Sequence, residues 1–157
     1  MKHIFYEDNI IVFIYKNINE YLKEKEEIEE NIKKILINIK KNYKKKISGY
    51  YKIKIYQNKN YGIILEIEKE EDFDFFPDVV DLKVELEEDS DIYLKVDDYF
   101  LINDLSKQIY TYDNNYYINV NELEKKEIIL LSDFYKLIYG KELEKIKNKF
   151  KTITIYM

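Results

Sequence analysis

From Tyr21 onward the apolar residues Leu22, Ile28, Ile32, Ile35, Ile39 and Tyr43 recur mostly at steps of three and four. That spacing puts them on one stripe of a 3.6-residue helix, and Leu36 widens the stripe. The opposite face is almost wholly Glu, Lys and Asn. Glu20, Glu24, Glu26, Glu27, Glu29 and Glu30 come first, and Lys33, Lys34, Lys40, Lys41, Lys44, Lys45 and Lys46 follow. Acids near the N-terminus and bases near the C-terminus oppose the helix dipole. Asn17 or Asn19 can cap the start, and Ser48-Gly49 can end it. The pattern predicts one long helix over Asn19–Ile47. Alone in water such a helix is marginal. Covering its stripe supplies about 1.5–3 kcal/mol per buried Ile or Leu. A coiled-coil seam is the rival, but about three heptads is the lower limit for that pattern.

Most of the remaining chain alternates as strands do. Ile4–Tyr6 and Ile10–Tyr15 flank Glu7-Asp8-Asn9 as a hairpin, and the second run is apolar on both faces, which suits a central strand. Tyr51, Ile53 and Ile55 alternate with Lys52 and Lys54. After the turn Gln57–Asn60, residues Tyr61, Ile63, Leu65 and Ile67 alternate in the same way. Val80, Leu82, Val84 and Leu86 are expected to pair across Glu87–Ser90 with Ile92, Leu94 and Val96. Gln108–Tyr112 and Tyr116–Val120 flank the turn Asp113–Asn115. Asn121 and Glu124 resemble a capping box. They would open a helix to Tyr139 with Leu123, Ile128, Leu131, Phe134, Tyr135 and Ile138 inward, and Gly140 would end it. A helical turn at Tyr99–Leu105, a short helix over Glu142–Phe150 and a strand over Thr152–Tyr156 complete the order. Strands and helices do not alternate strictly, which favours an α+β fold. In it a largely antiparallel sheet of several hairpins packs on the long N-terminal helix and a second, C-terminal helix. The 157 residues read as a single domain, 1–157, with Glu70–Asp78 the place for any subdivision.

Composition removes much of catalytic chemistry. The chain has no Cys, so thiol nucleophiles, disulfides and thiolate metal sites are excluded. Its one imidazole is His3, close to a chain end. Its three glycines, Gly49, Gly62 and Gly140, form no phosphate-binding loop. Arg is absent, so no guanidinium fork is available for phosphate or guanine. Arg, Ala and Trp are replaced by Ile, Lys, Asn, Tyr and Glu, residues of AT-rich codons. Asp89, Asp91, Asp97 and Asp98 could offer oxygen ligands to calcium, but the Gly and terminal Glu of a calcium loop are missing, and a solvated acidic turn is the simpler account. No catalytic residue, cofactor or metal is assigned, and a non-enzymatic protein is expected. No apolar run reaches the roughly 18 residues of a membrane span. The start is acidic too early for a signal peptide, which implies a cytoplasmic location.

The net charge of −5 is uneven, because residues 58–107 carry 16 acids against 5 lysines. Two features of that block point to a protein partner. In Glu70–Asp78, Phe73, Phe75 and Phe76 stand among acids. Either Phe73 and Phe76 plug the edge of the core, or the three phenylalanines anchor a partner while the acids steer it. Glu85, Glu87 and Glu88 lie on the next strand and its turn. They could also imitate a phosphate track and occupy the basic groove of a DNA- or RNA-handling protein, making the chain an inhibitor. Direct nucleic-acid binding is disfavoured by the overall acidity, because the dipole already explains Lys40–Lys46.

The last fifty residues carry Ile109-Tyr110-Thr111-Tyr112, a turn, Tyr116-Tyr117-Ile118, a helix with acids at its start, Tyr139-Gly140, and a closing Lys151-Thr152-Ile153. In these features they resemble the C-terminal domain of MecA-type adaptors, which hand substrates to a Clp unfoldase. Lys149-Phe150-Lys151 departs from that family's tyrosine-glycine-lysine, and the hairpins from Tyr50 to Val96 have no clear counterpart. About a third of the chain is covered. The resemblance implies adaptor work and no catalysis.

Overall fold

A computed structural model describes residues 2–6, 9–14, 25–43, 48–72, 79–97 and 108–154. The fold is α+β, with two mostly antiparallel sheets where a single sheet was expected. The chain forms two compact units. One comprises Met1–Gln57 and Gly62–Glu88, the other Asn58–Tyr61 and Asp89–Met157. The chain therefore passes from one unit to the other at Glu88–Asp89 as well as at the hairpin tip, rather than within Glu70–Asp78.

In the first unit β1 (Lys2–Tyr6), β2 (Asn9–Ile14), β3 (Gly49–Asn58), β4 (Gly62–Asp72) and β5 (Val80–Glu87) form a sheet of order β1-β2-β4-β3-β5. The pairs β1–β2 and β2–β4 are antiparallel, and β3–β5 is parallel. Helix α1 runs Lys25–Tyr43, nineteen residues. The remainder of the predicted Asn19–Ile47 helix, 19–24 and 44–47, lies outside the described residues. Ile28, Ile32, Ile35, Leu36 and Ile39 are buried in one core with Val12 and Ile14 of β2, Tyr51, Ile53 and Ile55 of β3, and Ile63, Leu65 and Ile67 of β4. The register pairs Val12 with Leu65 and Ile14 with Ile63, so the strand alternation delivers both rows to one face. On the other face Phe13 pairs with Ile64, and both are buried. Tyr56 is buried there too, and its hydroxyl donates to Glu66 Oε2 at 3.3 Å. That accounts for the apolar run of β2.

Gly49 opens β3 at φ +149°, and its N–H donates to the Val79 carbonyl at 3.0 Å. A Cβ there would lie 2.2 Å from the Glu71 carbonyl oxygen. Close by, the Lys69 ammonium sits 5.9 Å over the Tyr51 ring and pairs with Asp72. Burial, and then the Asp72 charge, push the Tyr51 hydroxyl up from 10.0 to about 12. The unfolded chain loses that proton first. Stability tied to the neutral hydroxyl is therefore complete below pH 10 and drains away between pH 10 and about 12. Urea midpoints measured at stepped pH should fall across that window, and should fall less in Tyr51→Phe.

In the second unit β6 (Ile92–Val96), β7 (Gln108–Tyr112), β8 (Asn115–Asn119), β9 (Lys136–Tyr139) and β10 (Lys151–Thr154) form a sheet of order β10-β7-β8-β6-β9. All four neighbouring pairs are antiparallel. Ile92, Leu94, Ile109 and Ile118 are buried on one face. On the other, Tyr93, Tyr117 and Ile138 pack with Leu143 and half-buried Tyr110, Ile146 and Phe150. Phe150 stacks on Tyr117 at 4.7 Å and meets Tyr93 edge-on at 5.4 Å, geometries that aromatic quadrupoles favour. Helix α2 covers Lys125–Ser132 and α3 Gly140–Ile146.

The tip of the β3–β4 hairpin, Asn58–Tyr61, belongs to this unit. Asn58 is buried and makes three hydrogen bonds. Its Nδ2 donates to the Ser90 carbonyl at 2.9 Å, and its Oδ1 accepts from the Asn60 and Tyr61 N–H groups, both at 2.9 Å. Asn60 Nδ2 points at the carbonyls of Val120, Asn121 and Leu123, 3.1–3.4 Å away, around the 3-10 turn Val120–Glu122. The β7–β8 turn places Asp113 at φ +51° and Asn114 at φ +61°, the double left-handed geometry of a type I′ hairpin. Asn114→Val should cost about 1–2 kcal/mol, because a β-branched side chain resists that region. Asn114→Gly should be neutral or better, and thermal denaturation distinguishes the two.

Several expectations are corrected. Val80–Leu86 and Ile92–Val96 are not a hairpin: β5 joins the first sheet parallel to β3, and β6 joins the second between β8 and β9. Alternation specifies a strand and its buried face but leaves the partner to tertiary packing. The helix expected over Asn121–Tyr139 stops at Ser132. Its reciprocal cap is three residues later than expected, with Glu124 N–H donating to Glu127 Oε1 at 3.1 Å, while Asn121 N–H donates to Asn119 Oδ1. Leu137 and Ile138 are strand residues, matched to Leu94 and Tyr93. Gly140 opens α3, at φ +58°, instead of ending a helix. The turn expected at Tyr99–Leu105 lies outside the described residues. No helix among the described residues is long and apolar enough to cross a membrane.

Candidate functional site at the β5 edge

Of the residues singled out for partner binding, Phe73, Phe75 and Phe76 lie outside the described residues. Glu85, Glu87 and Glu88 are at or just past the end of β5, the terminal strand of the first sheet. The parallel register sets Lys83 beside Lys52, Glu85 beside Lys54 and Glu87 beside Tyr56. Strand alternation then puts Asp81, Lys83, Glu85 and Glu87 on one face, about 7 Å between alternate residues. Asp81, Lys83 and Glu85 are exposed and Glu87 half-buried, with Glu88 and Asp89 exposed beyond. The neighbouring Lys54 ammonium lies 5.2 Å from the Tyr56 ring. The alternation of β5 was legible in the sequence, but its place at the end of the sheet was not.

The other face of β5 carries Val80, Leu82 and Val84, half-buried against the α1 core, and Leu86, 41% exposed. Among the described residues, pairing with Tyr51, Ile53 and Ile55 of β3 covers this row from one side. Leu82 N–H donates to Asp81 Oδ1 at 3.0 Å, which takes it off the β3 ladder. Main-chain groups alternate sides along a strand, so those of Val84 and Leu86 face outward with it. The edge therefore presents outward-facing amides, an incompletely covered apolar row and a predominantly acidic row. A charged row on an edge strand also discourages unselective pairing.

A second surface escaped sequence reasoning. Leu130 is 62% and Phe134 75% exposed, with Ile129 also exposed beside them, although Phe134 was expected inward. The helix ends two residues before Phe134, and the N–H groups of Phe134 and Tyr135 both return to the Leu131 carbonyl. That turn swings the ring off the inward stripe. No periodicity signal marks it.

The remaining chemistry is sparse. Asp91 pairs with Lys147, Asp89 and Asp97 are exposed, and Asp98 lies outside the described residues. Among the described residues no three His, Cys, Asp or Glu side chains are grouped to hold a metal ion. A cavity between α1 and its sheet is lined by Ile14, Ile28, Asn31, Ile32, Ile35, Ile55, Ile63 and Leu65, an apolar seam with a single amide. Comparisons with protein-family models, curated proteins and solved structures found no match to this chain.

Proposed function

We propose that the protein is a non-enzymatic binding module that engages another protein through the outer edge of β5. The observation that carries this is the pairing of an incompletely covered apolar row, Val80 to Leu86, with the acidic row Asp81, Glu85 and Glu87 on one terminal strand. Apolar surface supplies affinity and the rim of charge supplies selectivity and approach rate. Adaptor work, as the tyrosine-hairpin resemblance implies, is one form of this function. Imitation of nucleic acid is the less favoured alternative. Lys52 and Lys54 run alongside Lys83 and Glu85, so the negative track is interrupted by positive charge.

The test is quantitative affinity capture from the native host with the wild-type chain and with Glu85→Lys/Glu87→Lys. A stoichiometric partner lost from the double variant and retained by Leu130→Ser supports the proposal. Glu85 and Leu130 are exposed and Glu87 is half-buried, so urea melts of all three proteins accompany the capture, and a loss counts as binding where the folded population is unchanged. A partner set that ignores the charge reversals sinks it.

A further inference from the structure

We infer that the partner contributes an extended segment of alternating apolar and basic side chains, which adds to β5 as a sixth strand. This rests on the binding role proposed above and names the chemistry of its ligand. An added strand must match three features at once. Its main chain meets the outward amides of Val84 and Leu86, because these alternate with the groups bonded to β3. Its side chains on the α1 side extend the row Leu82, Val84 and Leu86, which is half-buried or exposed. Its side chains on the opposite side lie beside Asp81, Glu85 and Glu87 of β5, a row whose one lysine is Lys83, with Lys52 and Lys54 one strand further in. Strand alternation therefore imposes an apolar–basic period of two on the ligand.

A second copy of this chain satisfies the requirement poorly. Antiparallel β5–β5 pairing centred on Val84 sets Asp81 against Glu87 at both ends, with Lys83 opposite Glu85 between them. Centring on Lys83 sets that lysine against its own copy and Asp81 against Glu85 twice. Like charges directly opposite are destabilising, so these two registers, which align most of β5 with its copy, weigh against self-pairing.

The experiment titrates the full chain with a synthetic peptide of alternating valine and lysine. Its partner arm uses the same peptide N-methylated on alternate residues, which removes ladder donors and keeps the charge. Binding is followed by backbone NMR and amide exchange. Strand addition predicts that the Val84 and Leu86 amides shift and exchange about tenfold more slowly or better. It also predicts binding at least about tenfold weaker for the N-methylated peptide, and a similar loss in Glu85→Lys/Glu87→Lys. Equal binding of both peptides overturns strand addition while leaving a charge-driven protein interface intact. If neither peptide binds but host capture still depends on Glu85 and Glu87, the inference fails and the proposed function stands. Loss of both signals ends both. A concentration-dependent dimer that slows exchange at Val84 and Leu86 without peptide overturns the inference in favour of self-pairing.

Discussion

Gly49→Ala is expected to remove about 4 kcal/mol or more of unfolding free energy. Two costs combine. The residue sits at φ +149°, which side-chain-bearing residues occupy only under strain of about 1–3 kcal/mol. The new Cβ would also lie 2.2 Å from the Glu71 carbonyl oxygen, a backbone atom that cannot rotate aside. Relief requires β3 and β4 to part at this end, which also disturbs the Gly49 N–H bond to Val79 at the start of β5. Urea denaturation measures the loss, and amide exchange should show it concentrated in the first residues of β3 and the last of β4. A loss below about 1 kcal/mol would mean the strands separate there freely, contrary to the packing described.

Asn58→Ala should cost about 3 kcal/mol or more. One buried side chain serves as donor to the Ser90 carbonyl and acceptor for two N–H groups. Truncation leaves buried partners unpaired, each at about 1–3 kcal/mol. Asn60→Ala is the matched control. Its amide also reaches three carbonyls, but Asn60 is only partly buried, so water can replace it and about 1 kcal/mol is expected. Thermal or urea melts of the two variants should rank in that order, and a reversed order contradicts the burial that separates them.

Local pattern was legible wherever it determined local structure. The Ile28–Ile39 stripe reads directly as a helix face, and the alternations of Tyr51–Ile55 and Ile63–Ile67 read as strand faces meeting it. Polar turns between alternating runs gave the β1–β2 and β7–β8 hairpins. What could not be read was partner choice. The alternation of Val80–Leu86 was visible, but its parallel alignment with Gly49–Tyr56 depends on residues thirty positions away. Leu137-Ile138-Tyr139 is too short to announce a strand, and the preceding helix pattern absorbed it. Only pairing with β6 defines it. The site divides in the same way. The alternation that puts Glu85 and Glu87 on one face of β5 was readable, whereas their place on an outer edge, and the outward turn of Phe134, are set by tertiary structure.

Asn58–Tyr61 belong to the second unit yet are synthesised with the first. A ribosome delivers these four residues well before Asp89 and everything after it. They emerge between β3 and β4, so the earlier unit can mature with its hairpin already closed, in the N-terminal-first order usual during synthesis. The later unit then assembles with those four residues already made. A polypeptide started at Asp89 would lack them, and with them the Asn58 and Asn60 hydrogen bonds, and should emerge as a loose, protease-sensitive product.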